Sequence, residues 1–376
     1  MTFLLILSLI LWTTILFLPW RPWSTKQSLE PLISIKDVSL KEITVLIPAR
    51  NEEDILKKTL PSVINQGFGL NIIVIDDQSN DNTKKVAEEI LNKYKDKIKG
   101  VVLEGKKKPP KWSGKLWALQ QGLEKVNTRY VLLLDADIYL KDKILKSALK
   151  YLKGNNLGMV SLMAMLRTDS FIERLFIPSF IYFFKLLYPF SLVNKKNSFV
   201  AGAAGGFILT KSSILKSIGA FESLKDALID DCRLAQLIKK GGNSIFLALT
   251  HGVISIRSYN SLNKIWQMVS RTAYTQLKYN PFLLALVAFI MMIAFFMPLI
   301  GLFSFNVKAV FISTLTLLIM AISYMPILRY YGLSSLWAFS LPVVGIFYLF
   351  MTLSSAKNYY LGKKAQWKGR IYSKGE

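Results

Sequence analysis

Tyr130-Val131-Leu132-Leu133-Leu134-Asp135-Ala136-Asp137 is a short apolar run that stops on two carboxylates. Five consecutive aromatic, β-branched or leucine residues read as a buried strand. Its end carries carboxylates spaced i, i+2, which on a strand would point to one side. Paired oxygen donors of this kind suit a hard divalent ion, Mg2+ or Mn2+, with Asp137 and Asp135 as ligands. A solvated turn after a strand is the plain alternative for the same residues.

Two further strand ends give the motif a context. Ile43-Thr44-Val45-Leu46-Ile47 runs into Pro48-Ala49-Arg50-Asn51-Glu52-Glu53, and Asn71-Ile72-Ile73-Val74-Ile75 runs into Asp76-Asp77-Gln78-Ser79-Asn80-Asp81. Each is followed by a helix-like segment. Three β-to-helix units with polar strand ends predict an α/β domain on a mostly parallel, nucleotide-binding sheet. Neither G-x-G-x-x-G nor G-x-x-x-x-G-K-[ST] occurs, which excludes a dinucleotide fingerprint and a P-loop.

Composition adds a membrane. Of 376 residues, 52% are hydrophobic, and the mean hydropathy is +0.34. That is too apolar for a wholly soluble chain. Phe3 to Trp20 is nearly uncharged and close to spanning length. With no Lys or Arg in front of it and no small-residue cleavage site, it reads as a retained anchor over residues 1–22 rather than a cleaved leader. Three more apolar stretches, Phe282 to Phe305, Ala309 to Leu328 and Leu336 to Leu353, place about three membrane helices in residues 281–356. One sizeable globular domain fits between them, over residues 40–280.

The net charge of +24 raises nucleic-acid binding, but no helix-turn-helix, RRM or zinc-finger pattern accompanies it. Anionic lipid headgroups or a phosphorylated substrate fit the charge better. Lysines dominate the middle of the chain, which places that domain on the cytoplasmic side of the cytoplasmic membrane. The basic tail, residues 357–376, pulls the other way, because three crossings would put it outside. Pro298 and Pro342 sit inside apolar runs and would permit breaks. The single cysteine, Cys232, excludes an internal disulfide. The single histidine, His251, reads as a packed or surface residue.

Further along, Gly114-Lys115 opens a helix after a lysine-rich loop, which lets Lys115 reach phosphate oxygens. Residues 171–193 are aromatic and aliphatic but broken by Pro178, Pro189 and charges; they fit interfacial helices and a buried core helix alike. Ala201-Gly202-Ala203-Ala204-Gly205-Gly206 lets a ligand approach the backbone or makes a tight turn. Asp230 and Asp231 open a helix, where acids favour the dipole and where one of them could serve as a general base. Gln267 and Arg271 share a helix face at i, i+4.

In order and spacing, Pro48-Ala49-Arg50-Asn51-Glu52, Asp76-Asp77-x-Ser79-x-Asp81, Asp135-x-Asp137, Asp230-Asp231 and the Gln267/Arg271 region resemble a family-two glycosyltransferase of the GT-A fold. More narrowly, Pro109-Pro110-x-Trp112-x-Gly114-Lys115-Leu116-Trp117-Ala118, Ala227-Leu228-Ile229-Asp230-Asp231-Cys232, Arg271-Thr272-Ala273-Tyr274-Thr275-Gln276-Leu277 and Trp367-Lys368-Gly369-Arg370 are similar to the hopene-associated glycosyltransferases. That resemblance implies roles. Pro48, Ala49, Arg50, Glu52 and Asp77 would hold the nucleoside, and Lys115 and Asp135 the rest of the donor. Asp137 would be the direct metal ligand, and Asp231 the catalytic base with Asp230 in place of the family's Glu. Arg271 would match the arginine of Gln-x-x-Arg-Trp. Here the spacing is Gln-x-x-x-Arg, and Thr272 stands where Trp is expected, which counts against processive polymer synthesis. The implied partners are a nucleotide diphosphate sugar, a lipid acceptor such as a hopanoid, and the membrane, with no nucleic acid. The rival readings are a polysaccharide synthase and a non-catalytic scaffold with a degenerate transferase domain.

Overall fold

The computed structural model describes residues 1–33, 39–225, 227 and 229–362, with the backbone of 366–367 and 370–371. The chain divides into two compact units. One gathers Met1–Lys26, Thr168–Ser191 and Ser258–Lys364; the other gathers Gln27–Arg167, Leu192–Arg257 and Ala365–Glu376.

The second unit is built on one sheet of eight strands: β1 Ile43–Ala49, β2 Asn71–Asp76, β3 Lys99–Glu104, β4 Tyr130–Leu134, β5 Ile138–Leu140, β6 Met159–Met165, β7 Phe207–Lys211 and β8 Ile245–Ser255. Their order is β3-β2-β1-β4-β7-β6-β8-β5. The first four are parallel to one another. β1 and β4 are buried along their whole length, as expected for strands covered on both faces. The helices Glu53–Ile64, Thr83–Lys93 and Gly114–Leu123 follow β1, β2 and β3. Ser113 caps the last of them by accepting from the Leu116 N–H, which fixes the chain just before Lys115.

Past β4 the sheet changes direction. β7 pairs antiparallel to β4 with Leu134 opposite Phe207. The chain entering β7 therefore arrives at the edge where β4 ends. β8 pairs antiparallel to β5, with Ser255 opposite Ile138, so the end of β8 meets the residues just after Asp137. The sheet is thus mixed, and its change of direction brings three distant segments to one edge. Ligands bind outside the carboxyl ends of strands at such a switch in open α/β sheets.

The first unit is helical. Pro281–Leu302, Val307–Tyr330 and Ser335–Tyr360 are long and apolar enough to cross a membrane, in register with the three expected stretches. The N-terminal helix, Thr2–Phe17, is apolar but only 16 residues long, short of the ~20 that a full crossing takes. The expected breaks take a specific form. A π-helical turn, Met292–Phe296, precedes Pro298 within one continuous helical segment, and Pro342 follows a 3-10 turn, Ser335–Ser340. Phe171–Leu187 is a helix with a capping box, Ser170 and Glu173. Glu173 also accepts from the Tyr259 N–H at 2.7 Å. The inner face of this helix is core. Phe176 and Tyr182 are buried, the Tyr182 hydroxyl lies 2.8 Å from that of Ser323, and Phe183 packs on Tyr348 and Phe295. Of the Trp367–Arg370 motif, Lys368 and Gly369 lie outside the described residues, as does Leu228 of the acidic motif.

Candidate active site

The Asp135-Ala136-Asp137 segment is a turn between β4 and β5, not a continuation of the strand. Its backbone is pinned on three sides. The Asp135 N–H donates to Gly206 O at 3.2 Å, the Ile256 N–H to Asp137 O at 3.0 Å, and the Thr59 hydroxyl to Ala136 O at 2.7 Å. The turn sends the two carboxylates to different partners, so the shared orientation expected of a strand is replaced by two separate ion pairs.

Asp135 Oδ1 lies 2.5 Å from Lys115 Nζ. Burial raises the Asp135 pKa, reinforced by Asp137 and Asp230 and opposed by Lys115. On Lys115 burial acts downward, but Asp135, Asp230 and Asp231 outweigh it and hold the ammonium charged. Asp137 Oδ2 accepts from the Ser255 hydroxyl at 2.7 Å and from Arg257 Nε at 3.2 Å. The same guanidinium reaches Glu52 Oε1 through Nη2 at 3.1 Å.

Asp231 stands at the start of the helix Asp230–Lys240. Its Oδ2 accepts from the Gly205 N–H at 2.8 Å and its Oδ1 from the Cys232 N–H at 2.7 Å. Burial, then the like charge of Asp230, pushes its pKa up to about 6, against the pull of those N–H groups and Lys115. A carboxylate tuned close to neutrality is suited to take a proton from a hydroxyl. Lys115, Gly205, Asp230 and Asp231 line one pocket with Leu119 and Phe221. Gly205 matters for the lack of a side chain: a Cβ there would meet Asp231 Oδ2 at 3.1 Å and Lys115 Nζ at 3.5 Å.

The residues expected to hold the nucleoside occupy the ends of β1 and β2. Pro48 and Ala49 are buried in β1, and the Asp77 N–H donates to Ala49 O at 2.8 Å. Arg50 Nη1 donates to the carbonyls of Asp77 and Gln78 at 2.5 and 2.8 Å, so its guanidinium fastens the two strand ends together. Asn51 has a φ of 51° and accepts from the Asn80 N–H at 2.9 Å. Asp77 and Glu52 are 2% and 5% exposed, which carboxylates rarely are without a function or a partner.

Arg271 belongs to the helical unit, where it follows the helix Leu262–Ser270 and its N–H donates to Gln267 O. Three residues absent from the expected site stand in it: Gly205, Ser255 and Arg257. The glycine-rich run signalled the first. Ser255 and Arg257 alternate with Ile254 and Ile256 at and just past the end of β8, a weak sequence sign of one polar and one apolar face.

Among the described residues no three acidic, histidine or cysteine side chains form a ready-made metal cage. The donor set fits Mg2+ or Mn2+ in a narrower sense. Asp135 and Asp137 are the oxygen donors taken by an ion that completes its shell with water and substrate phosphates, but each is ion-paired within the chain, to Lys115 and to Arg257.

Residues 44–219 match the glycosyl transferase family 2 model. Over 101 residues, 26% of this chain and 23% of the other, the chain is 38% identical to a probable glycosyltransferase, YdaM, of Bacillus subtilis. Over 103 residues, 27% of this chain, it is 34% identical to a 4,4'-diaponeurosporenoate glycosyltransferase of Staphylococcus haemolyticus, of which it covers 26%. The chain thus spans about a quarter of the length of these relatives. It shares its fold with the mannosyltransferase PcManGT of Pyrobaculum calidifontis, solved with GDP-Man and Mn2+, at a TM-score of 0.57 and 17% identity over 96% of this chain and all of the other.

Proposed function

We propose that the chain is an inverting glycosyltransferase that moves one sugar from a nucleotide diphosphate sugar to the hydroxyl of a membrane lipid. The observation that carries this is the Asp231 carboxylate, aimed by the Gly205 and Cys232 N–H groups in one pocket with Lys115, where burial and Asp230 raise its pKa.

Asp231 takes the acceptor proton as the hydroxyl attacks the anomeric carbon from the face opposite the leaving diphosphate. Lys115 supplies fixed positive charge where the diphosphate carries its negative charge. Pro48, Ala49, Glu52 and Asp77 hold the nucleoside at the ends of β1 and β2. Asp137 and Asp135 would hold Mg2+ or Mn2+, which when bound neutralises phosphate charge.

The membrane side of the reading rests on three helices of spanning length. The relative named for 4,4'-diaponeurosporenoate supports a lipid acceptor, and the whole-chain resemblance to hopene-associated enzymes favours a hopanoid-type one. The lysine-rich transferase unit faces the cytoplasm, where nucleotide sugars are made. Lipid extracts from cells with and without the protein test this proposal. A glycolipid mass present only with the protein is expected. Identical lipid profiles alongside a new soluble glycoside would remove the lipid acceptor.

A further inference from the structure

The acids at the end of β4 and β1 are covered by a cation of the chain's own. Arg257 lies in the stretch without regular structure that follows β8. It joins Asp137 and Glu52, residues that belong to different strand ends, through Nε and Nη2. The three side chains differ in exposure: Glu52 6%, Asp137 13%, Arg257 37%. The guanidinium is thus the most exposed of the three, outside the buried Glu52 and the half-buried Asp137.

The pairing has an electrostatic reason. Glu52, Asp135 and Asp137 converge on one edge, and buried like charges repel strongly unless compensated. Lys115 compensates Asp135, and Arg257 compensates the other two. A planar fork is the group that can serve two carboxylates at once, and it is also the preferred partner of phosphate. Its stem rotates between staggered wells at little cost, while the Ile256 N–H bond to Asp137 O keeps its root beside the site.

We propose that Arg257 is a counter-ion latch: it spans Glu52 and Asp137 while the donor is absent and exchanges them for the donor's diphosphate when the donor arrives. The inference rests on the transferase reading above, since it needs Glu52 and Asp137 to be donor and metal residues. Its consequence is that metal and nucleotide bind in a coupled way. The latch opposes a cation arriving alone at Asp137 and welcomes one arriving with a diphosphate. Specificity for the charged pair then comes from the chain itself rather than from affinity for either component.

The test uses the full chain in detergent, with Mn2+ followed by electron paramagnetic resonance and UDP and GDP followed by calorimetry. Arg257→Gln removes a like charge beside the metal site, so Mn2+ without nucleotide should bind about tenfold tighter or more. Nucleoside diphosphate without metal should bind more weakly in the same variant. Arg257→Lys keeps one charge but cannot fork, so its Mn2+ affinity should fall between wild type and Arg257→Gln; it serves as the folded comparison if Arg257→Gln does not fold. Unchanged or weaker Mn2+ binding in both variants would make Arg257 a static brace and overturn the latch. Unchanged diphosphate binding would overturn the exchange. A wild type that binds Mn2+, UDP and GDP not at all would overturn the transferase reading, and the latch with it.

Discussion

At the scale of single residues, the site works by setting like acids against one another. Asp231 is raised by burial and by Asp230, while two N–H groups fix its orientation. A base raised to about 6 is protonated below that pH and competent above it. The rate should therefore climb through pH 6 and level off above. Asp230→Asn removes the like charge, so the acid limb of kcat/KM should move to lower pH. An unmoved limb, or one shifted upward, would assign it to another group. Lys115 is the complementary case. Burial alone would lower its pKa, yet the three acids facing it outweigh that and hold it protonated, as the phosphate contact proposed for it requires.

At the scale of elements, the site is a product of the change from parallel to antiparallel pairing. Because β7 begins opposite the end of β4, the glycine-rich run reaches the Asp135 turn and presents the Gly205 N–H to Asp231. Gly205→Ala would push on Asp231 and Lys115 from 3.1 and 3.5 Å. A base misplaced by even part of an ångström loses much of its effect, so kcat should fall about tenfold or more with the melting temperature little changed. An equal loss of stability and activity would mean that the glycine serves packing only. The same geometry explains what the sequence disclosed. β1, β2 and β4 are largely apolar runs whose polar ends follow at once, so the strands, and the places of Asp77, Asp135 and Asp137 at their ends, could be read directly. The helix start at Asp230 was legible from its two acids. The β6 to β8 half was not, because its pairings join distant segments. Arg257 lies 120 residues from Asp137 and 205 from Glu52, and no local pattern announces such a partner. The i, i+2 argument went astray at Asp135 because the chain turns before the carboxylates.

At the scale of the whole molecule, a unit built on the eight-stranded sheet and a helical unit with, among the described residues, three membrane-length segments occur in one chain. The aromatic segment read as either interfacial or core is a helix whose inner face packs within its own unit through Phe176, Tyr182 and Phe183. That packing explains its low polarity without requiring lipid contact along its whole surface. The central claim is that Asp231 drives sugar transfer from a nucleotide donor to a lipid. It is tested most directly by single-turnover transfer from radiolabelled nucleotide diphosphate sugars into organic-extractable lipid, comparing the full wild-type chain with Asp231→Asn. Labelled lipid should form with the wild type and a suitable donor. The variant should bind that donor with similar affinity and transfer about 10²–10⁴-fold more slowly. Equal transfer by the two proteins would contradict the account.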